Sequence, residues 1–93
     1  ERLIVDHKVA DTFVARLTAK IKTLRAGNPD DSESVLGSLV DVGAGTRIKG
    51  LIDDAVARGA TLVIGGQLQG SILQPTLLDG VTDAMRLYRE ESF

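Results

Sequence analysis

Between Ala44 and Gly66 the spacing of apolar residues changes period within one short stretch, and this change constrains the fold more than any other feature of the chain. Ile48, Leu51, Ile52, Ala55 and Val56 fall at i, i+3, i+4, i+7 and i+8, the pattern of one apolar helix face. Gly59 then supplies a C-cap, and ATLVIGG follows as an apolar run bounded by glycines. The spacing predicts a helix from about Gly43 or Ala44 to Arg58 and a buried strand directly after it. A helix feeding straight into a buried strand belongs to an α/β layer arrangement.

The flanking residues extend this pattern. RLIV at 2 to 5 reads as a short buried strand ended by Asp6, whose carboxylate can accept from the first free amides of a helix. That helix is predicted from His7 to Arg25, with Val9, Phe13, Leu17, Ile21 and Leu24 forming its apolar stripe. Lys20, Lys22 and Arg25 complement the negative end of its dipole, and Gly27 is expected as a left-handed cap before Asn28-Pro29. Residues 28 to 36 form a turn-rich acidic connector, and GSLV at 37 to 40 runs extended. After the predicted strand, QLQGS is a turn and ILQPTLLDGV a second extended run, with Pro75 at an edge or bulge because it lacks an amide donor. TDAMRLYREES closes with a short irregular helix started by Thr82 or Asp83. The predicted order is β, α, α, β, β, then α or turn.

At 93 residues the chain is one small domain at most. A net charge of -2 without a basic cluster leaves no electrostatic footprint for nucleic acid or an anionic membrane. Its apolar runs fall far short of the ~20 residues of a membrane span, and no signal peptide pattern is present, so a cytoplasmic protein is expected. The absence of cysteine removes disulfides, thiolate nucleophiles and thiolate metal ligands from this stretch. With only Phe13, Tyr88 and Phe93 as aromatics, the core has to come from Leu, Ile, Val and Ala. A base-stacking surface for single strands is disfavoured for the same reason.

Few residues offer chemistry. His7 is expected as an exposed first-turn residue. The pairs at 30 to 31 and 53 to 54 read as solvated acidic surface, because a metal needs three or four convergent ligands. GAG at 43 to 45 and GG at 65 to 66 complete no phosphate-binding fingerprint and read as a helix entry and a strand exit. No catalytic residue and no metal ligand is assigned. The exception is the closing YREESF, where Glu90 and Glu91 could accept from ribose hydroxyls beside an aromatic wall.

Taken in order, these motifs resemble the aldehyde dehydrogenase family along essentially the whole chain. ERLIVDHKVADTFVARL is similar to the strand and helix just downstream of that family's catalytic cysteine, and RAGNPDD to its G-N/D-P turn. LGSLV resembles its G-P-L/x-[IV] segment, and RIKGLIDDAVARGATLVIGG the helix and strand that follow. LQPTLLDGVTDAMRLYREESF resembles the run leading into the E-E-[IS]-F-G-P motif, the more specific of these matches. The wording MRLYREESF is most similar to dehydrogenases of aromatic aldehydes such as benzaldehyde, salicylaldehyde or vanillin.

The resemblance implies an α/β fold, a partial three-layer α/β/α catalytic domain of an aldehyde dehydrogenase-like fold. Residues 1–93 would form a single fragment of that domain, truncated at both ends and inactive alone, with the nucleophile a few residues before Glu1 and Gly-Pro after Phe93. In the family a cysteine thiolate attacks the aldehyde, hydride passes to NAD or NADP, and a glutamate-activated water hydrolyses the thioester. Carried onto this sequence, Glu91 matches the glutamate that binds the nicotinamide ribose, and Phe93 the aromatic beside it. Glu90 takes a structural role. A small-molecule aldehyde and a homodimeric or homotetrameric parent are implied as partners. Ser38 stands where proline is more usual and Ala44 where some members have a cofactor-contacting glutamine, so neither carries a site. Two alternatives are a stand-alone α/β interaction module and a related acyl-phosphate reductase. Strands expected in the middle of a sheet would have exposed edges here, through which the chain could self-associate.

Overall fold

The structure, a computed structural model, describes all 93 residues. Its best-buried element is helix α2, Val42–Ala57. Asp41 caps it by accepting from the Ala44 amide at 2.7 Å. At the other end Gly59 takes a φ of +104°. The Gly59 amide donates to Val56 and the Ala60 amide to Ala55, the bond pattern of a Schellman cap. The expected stripe is buried at Ile48, Leu51, Ile52 and Ala55, while Val56 remains 42% exposed.

Beyond the cap, strand β1, Thr61–Ile64, pairs antiparallel with β4, Leu77–Asp79. The register shifts between Leu62 and Ile64. Nested between them is a hairpin of β2, Leu68–Gln69, and β3, Ile72–Leu73, turning through Gly70 at a φ of +60°. The whole is one long hairpin interrupted where β1 leaves through Gly65-Gly66 and the chain returns through Gln74, Pro75 and Thr76. Pro75 lies outside both ladders, so its missing donor costs nothing there. Gly65 combines a φ of +88° with an approach so close that a Cβ would stand 2.1 Å from the Pro75 carbonyl oxygen. Thr76 ties the two crossings together, accepting from the Gly66 amide at 2.9 Å and donating to the Gln74 carbonyl at 2.7 Å. The expectation of a buried strand over ATLVIGG is corrected: β1 has a single neighbour, and Leu62 is 41% exposed.

Helix α1, His7–Ile21, begins where expected, with the Lys8 amide donating to Asp6 at 2.9 Å. It ends four residues earlier than predicted. The Thr23 amide and hydroxyl both donate to the Lys20 carbonyl, at 3.1 and 2.8 Å, and tighten the last turn. The chain then runs extended, so Ala26 forms a parallel bridge with Leu36, and the Gln74 side chain bonds both its amide and carbonyl. Gly27 is therefore not a left-handed cap. It is needed for space, since a Cβ there would lie 2.2 Å from the Ser34 hydroxyl.

RLIV forms no strand, because nothing in the chain offers a ladder to it. Arg2 instead stacks 4.1 Å above the Tyr88 ring and donates to the Tyr88 carbonyl. Leu3 and Val5 line an apolar groove of about 180 Å³ with Phe13, Val14, Leu17 and Leu78. GSLV makes no ladder either, but the Leu39 amide reaches the Ser71 carbonyl at 2.8 Å. The core joins Ala55, Ala60 and Met85, with Leu78, Val81 and Leu87 packed around them. The methionine at its centre was not among the residues expected to build it. The chain exposes 6514 Å². A folded monomer of this mass would expose roughly 5,200 Å². No helix is long and apolar enough to cross a membrane.

Candidate functional site

The closing YREESF segment is placed by α2. Met85, almost fully buried, donates through its amide to the Thr82 carbonyl at 3.1 Å and starts a short 3-10 turn, Arg86–Tyr88. The free amide at the head of this turn, that of Arg86, donates to the Asp54 carboxylate at 2.9 Å. Asp54 also accepts from Arg58 Nε at 2.9 Å, so one helix side chain serves its own helix and the turn. Arg86 then grips Glu90 in a bidentate pair, Nε to Oε1 at 2.8 Å and Nη2 to Oε2 at 3.1 Å. Further along, Arg47 donates to the Glu91 carbonyl at 2.6 Å and to the Phe93 carbonyl.

The two neighbouring glutamates thus differ in what they have to offer. Both oxygens of Glu90 are held by Arg86, whereas the exposed Glu91 carboxylate accepts no hydrogen bond from the chain. The Phe93 ring is 79% exposed. Hydrogen bonds from Arg58 and from the Arg86 amide hold the Asp54 carboxyl below its ordinary range. The Arg86 guanidinium does the same to Glu90, and Glu90 in turn raises Arg86.

Glu91 and Phe93, the two residues singled out from the sequence, are brought together on one arginine. His7 is exposed beside Asp6, and Gly43 to Gly45 form the entry of α2. Asp53 is solvated surface paired with Lys49, but Asp54 corrects that expectation: its side chain is only 16% exposed. The sequence reasoning missed Arg47, Asp54 and Arg86 as the frame of the segment. A signal was present, since Arg47, Leu51, Asp54 and Arg58 share one face of α2 at i, i+4, i+7 and i+11. No three His, Cys, Asp or Glu side chains lie close enough together to hold a metal ion.

Comparison with known proteins now bears on this frame. The model of the Aldehyde dehydrogenase family matches residues 1–93. Vanillin dehydrogenase of Pseudomonas fluorescens is 81% identical over the whole chain, which spans 19% of that relative's length. The crystal structure of salicylaldehyde dehydrogenase from Pseudomonas putida G7, complexed with salicylaldehyde, is 45% identical, with a TM-score of 0.93 over 100% of this chain and 19% of that one. NADP-dependent glyceraldehyde-3-phosphate dehydrogenase from Bacillus halodurans, complexed with NADP, is 42% identical, with a TM-score of 0.88 over 95% of this chain and 18% of that one. The α/β arrangement is that of part of these enzymes. Matched from its first residue to its last in both sequence and backbone, the chain belongs to the aldehyde dehydrogenase family.

Proposed function

We propose that these 93 residues form part of the catalytic domain of an NAD(P)-dependent aldehyde dehydrogenase that oxidises an aromatic aldehyde, and that they supply Glu91 and Phe93 to the nicotinamide ribose site. The observation that carries this reading is the division of labour between the glutamates: Glu90 is spent on Arg86, and Glu91 is left with free oxygens. An ionised carboxylate only accepts, so its natural partners are hydroxyl donors such as those of a ribose. Phe93 adds an exposed apolar ring two residues away, suited to the face of a planar base. When bound, NAD(P) supplies the oxidant for the aldehyde. The chain's own contribution is to hold and orient it.

The aromatic substrate is supported by the similarity to vanillin and salicylaldehyde dehydrogenases. With no cysteine among the 93 residues, the segment by itself supplies no thiolate and is proposed to be inactive. The contact of Arg2 with Tyr88 brings the start of the chain beside the segment that carries Glu91. Family membership also favours an enzyme over a stand-alone interaction module.

The test is steady-state kinetics of the complete enzyme carrying Glu91→Gln. Loss of a charged acceptor is worth ~1.5–3 kcal/mol, so KM for NAD(P) should rise at least about tenfold while KM for the aldehyde holds. An unchanged KM for NAD(P) would remove Glu91 from the site.

A further inference from the structure

Helix α2 touches the closing segment at two points separated by seven residues, Asp54 at its head and Arg47 at its tail. Seven residues are two helical turns, so both side chains leave the same face, about 10 Å apart along the axis. Between them they span the chain from the Arg86 amide to the Phe93 carbonyl. The two grips differ. Asp54 fixes where the 3-10 turn begins, well before the functional residues. Arg47 acts on the residues themselves, taking the carbonyl of Glu91 at 2.6 Å and that of Phe93 with its second nitrogen.

Arg25, Lys49, Arg58 and Arg86 each pair with a carboxylate, whereas Arg47, like Arg2, pairs with none; Arg2 reaches one backbone carbonyl, and Arg47 spends two donors on two of them. A planar guanidinium bonded to two carbonyls two residues apart restricts the intervening backbone as a single charge could not. The peptide units of Glu91, Ser92 and Phe93 are thereby held, while both functional side chains stay free for a ligand.

We infer that Arg47 is a positioning residue for the cofactor site, holding Glu91 and Phe93 in register through their backbone without touching the cofactor. The inference rests on the proposed role of Glu91 and Phe93. It makes α2 a rigid ruler, capped at both ends and buried along its centre, against which a short terminal segment is set. Function placed on a loop gains accuracy when a helix holds that loop.

The experiment compares Arg47→Ala, Arg47→Lys, Glu91→Ala and the double Ala variant in the complete enzyme, with thermal midpoints measured alongside. The expected result is a rise of about tenfold in KM for NAD(P) in Arg47→Ala, with KM for the aldehyde unchanged. Arg47→Lys should recover part of the loss, because one ammonium can serve one carbonyl. The double variant should lose less than the product of the single effects, since both act through the same residue. A lowered midpoint with unchanged KM in Arg47→Ala, while Glu91→Ala raises KM, would overturn the positioning role and leave the site intact. No effect from Glu91→Ala would overturn the site and the inference together.

Discussion

Helices α1 and α2 carry apolar stripes of the same period, yet one buries four of its expected stripe residues and the other none. The partners of α2 come from later in the chain: Leu68 and Gly70 of the hairpin lie against Gly45, and Met85 packs against Ala55. In the α1 stripe, Phe13 and Leu17 line the groove toward Leu77 and Leu78 while Ile21 and Leu24 line a second one beside Ile64 and Pro75, and Phe13 is still 37% exposed. Periodicity thus identifies the face that requires a partner and is silent about whether these residues provide one. Leu3, Ile4, Val9 and Val40 are among the apolar side chains left more than half exposed.

This contrast can be broken most severely at Leu51, whose side chain is fully buried. Leu51→Ala should destabilise by about 3 kcal/mol, enough to unfold a thinly cored chain. Phe13→Ala on the other helix should cost clearly less. Denaturant titration followed by circular dichroism compares the two, and equal losses would mean that α1 is as well packed as α2. A smaller difference is expected at the caps. Asp6→Ala and Asp41→Ala each remove a side-chain bond to a first-turn amide, worth about 1 kcal/mol. The loss should show as fraying in α1, which has little packing to hold its first turn, and less so in α2. Amide exchange of Lys8 and Ala44 reads this directly.

The smallest effect is acid dependence at the junction of α2 and the 3-10 turn. Asp54 and Glu90 titrate lower in the folded chain than in the unfolded one. Their contribution is therefore full above the ordinary carboxylate range, about pH 4, and is lost as pH falls through the lower folded values. Tyr88 is the single tyrosine in a chain without tryptophan, so its fluorescence reports on this turn. Its signal should change at low pH in the parent chain and do so less in Asp54→Asn.

Much of the fold was legible because it is closed by bonds between near neighbours. The Asp6 cap, the start of α2 and its Schellman end at Gly59 all depend on contacts within a few residues. The misplaced end of α1 shows the limit of this. Lys20, Lys22 and Gly27 spelled a plausible cap, but Thr23 closed the helix early, and Gln74, 48 residues away, held Ala26 in extended form.

The functional segment divides along the same line. That YREESF carries Glu91 and Phe93 is a property of the sequence, as are the helix periods and the α/β order. The Arg86–Glu90 pair that leaves Glu91 free is itself local, at i and i+4, but where the segment is set is not, because the Arg86 amide is anchored by Asp54, 32 residues earlier, and Arg47 reaches across 44 residues to the Glu91 carbonyl. Local spacing determines what hydrogen bonds close within a turn, whereas pairings over such separations exist only once packing of Met85 against Ala55 has brought α2 and the terminal segment together.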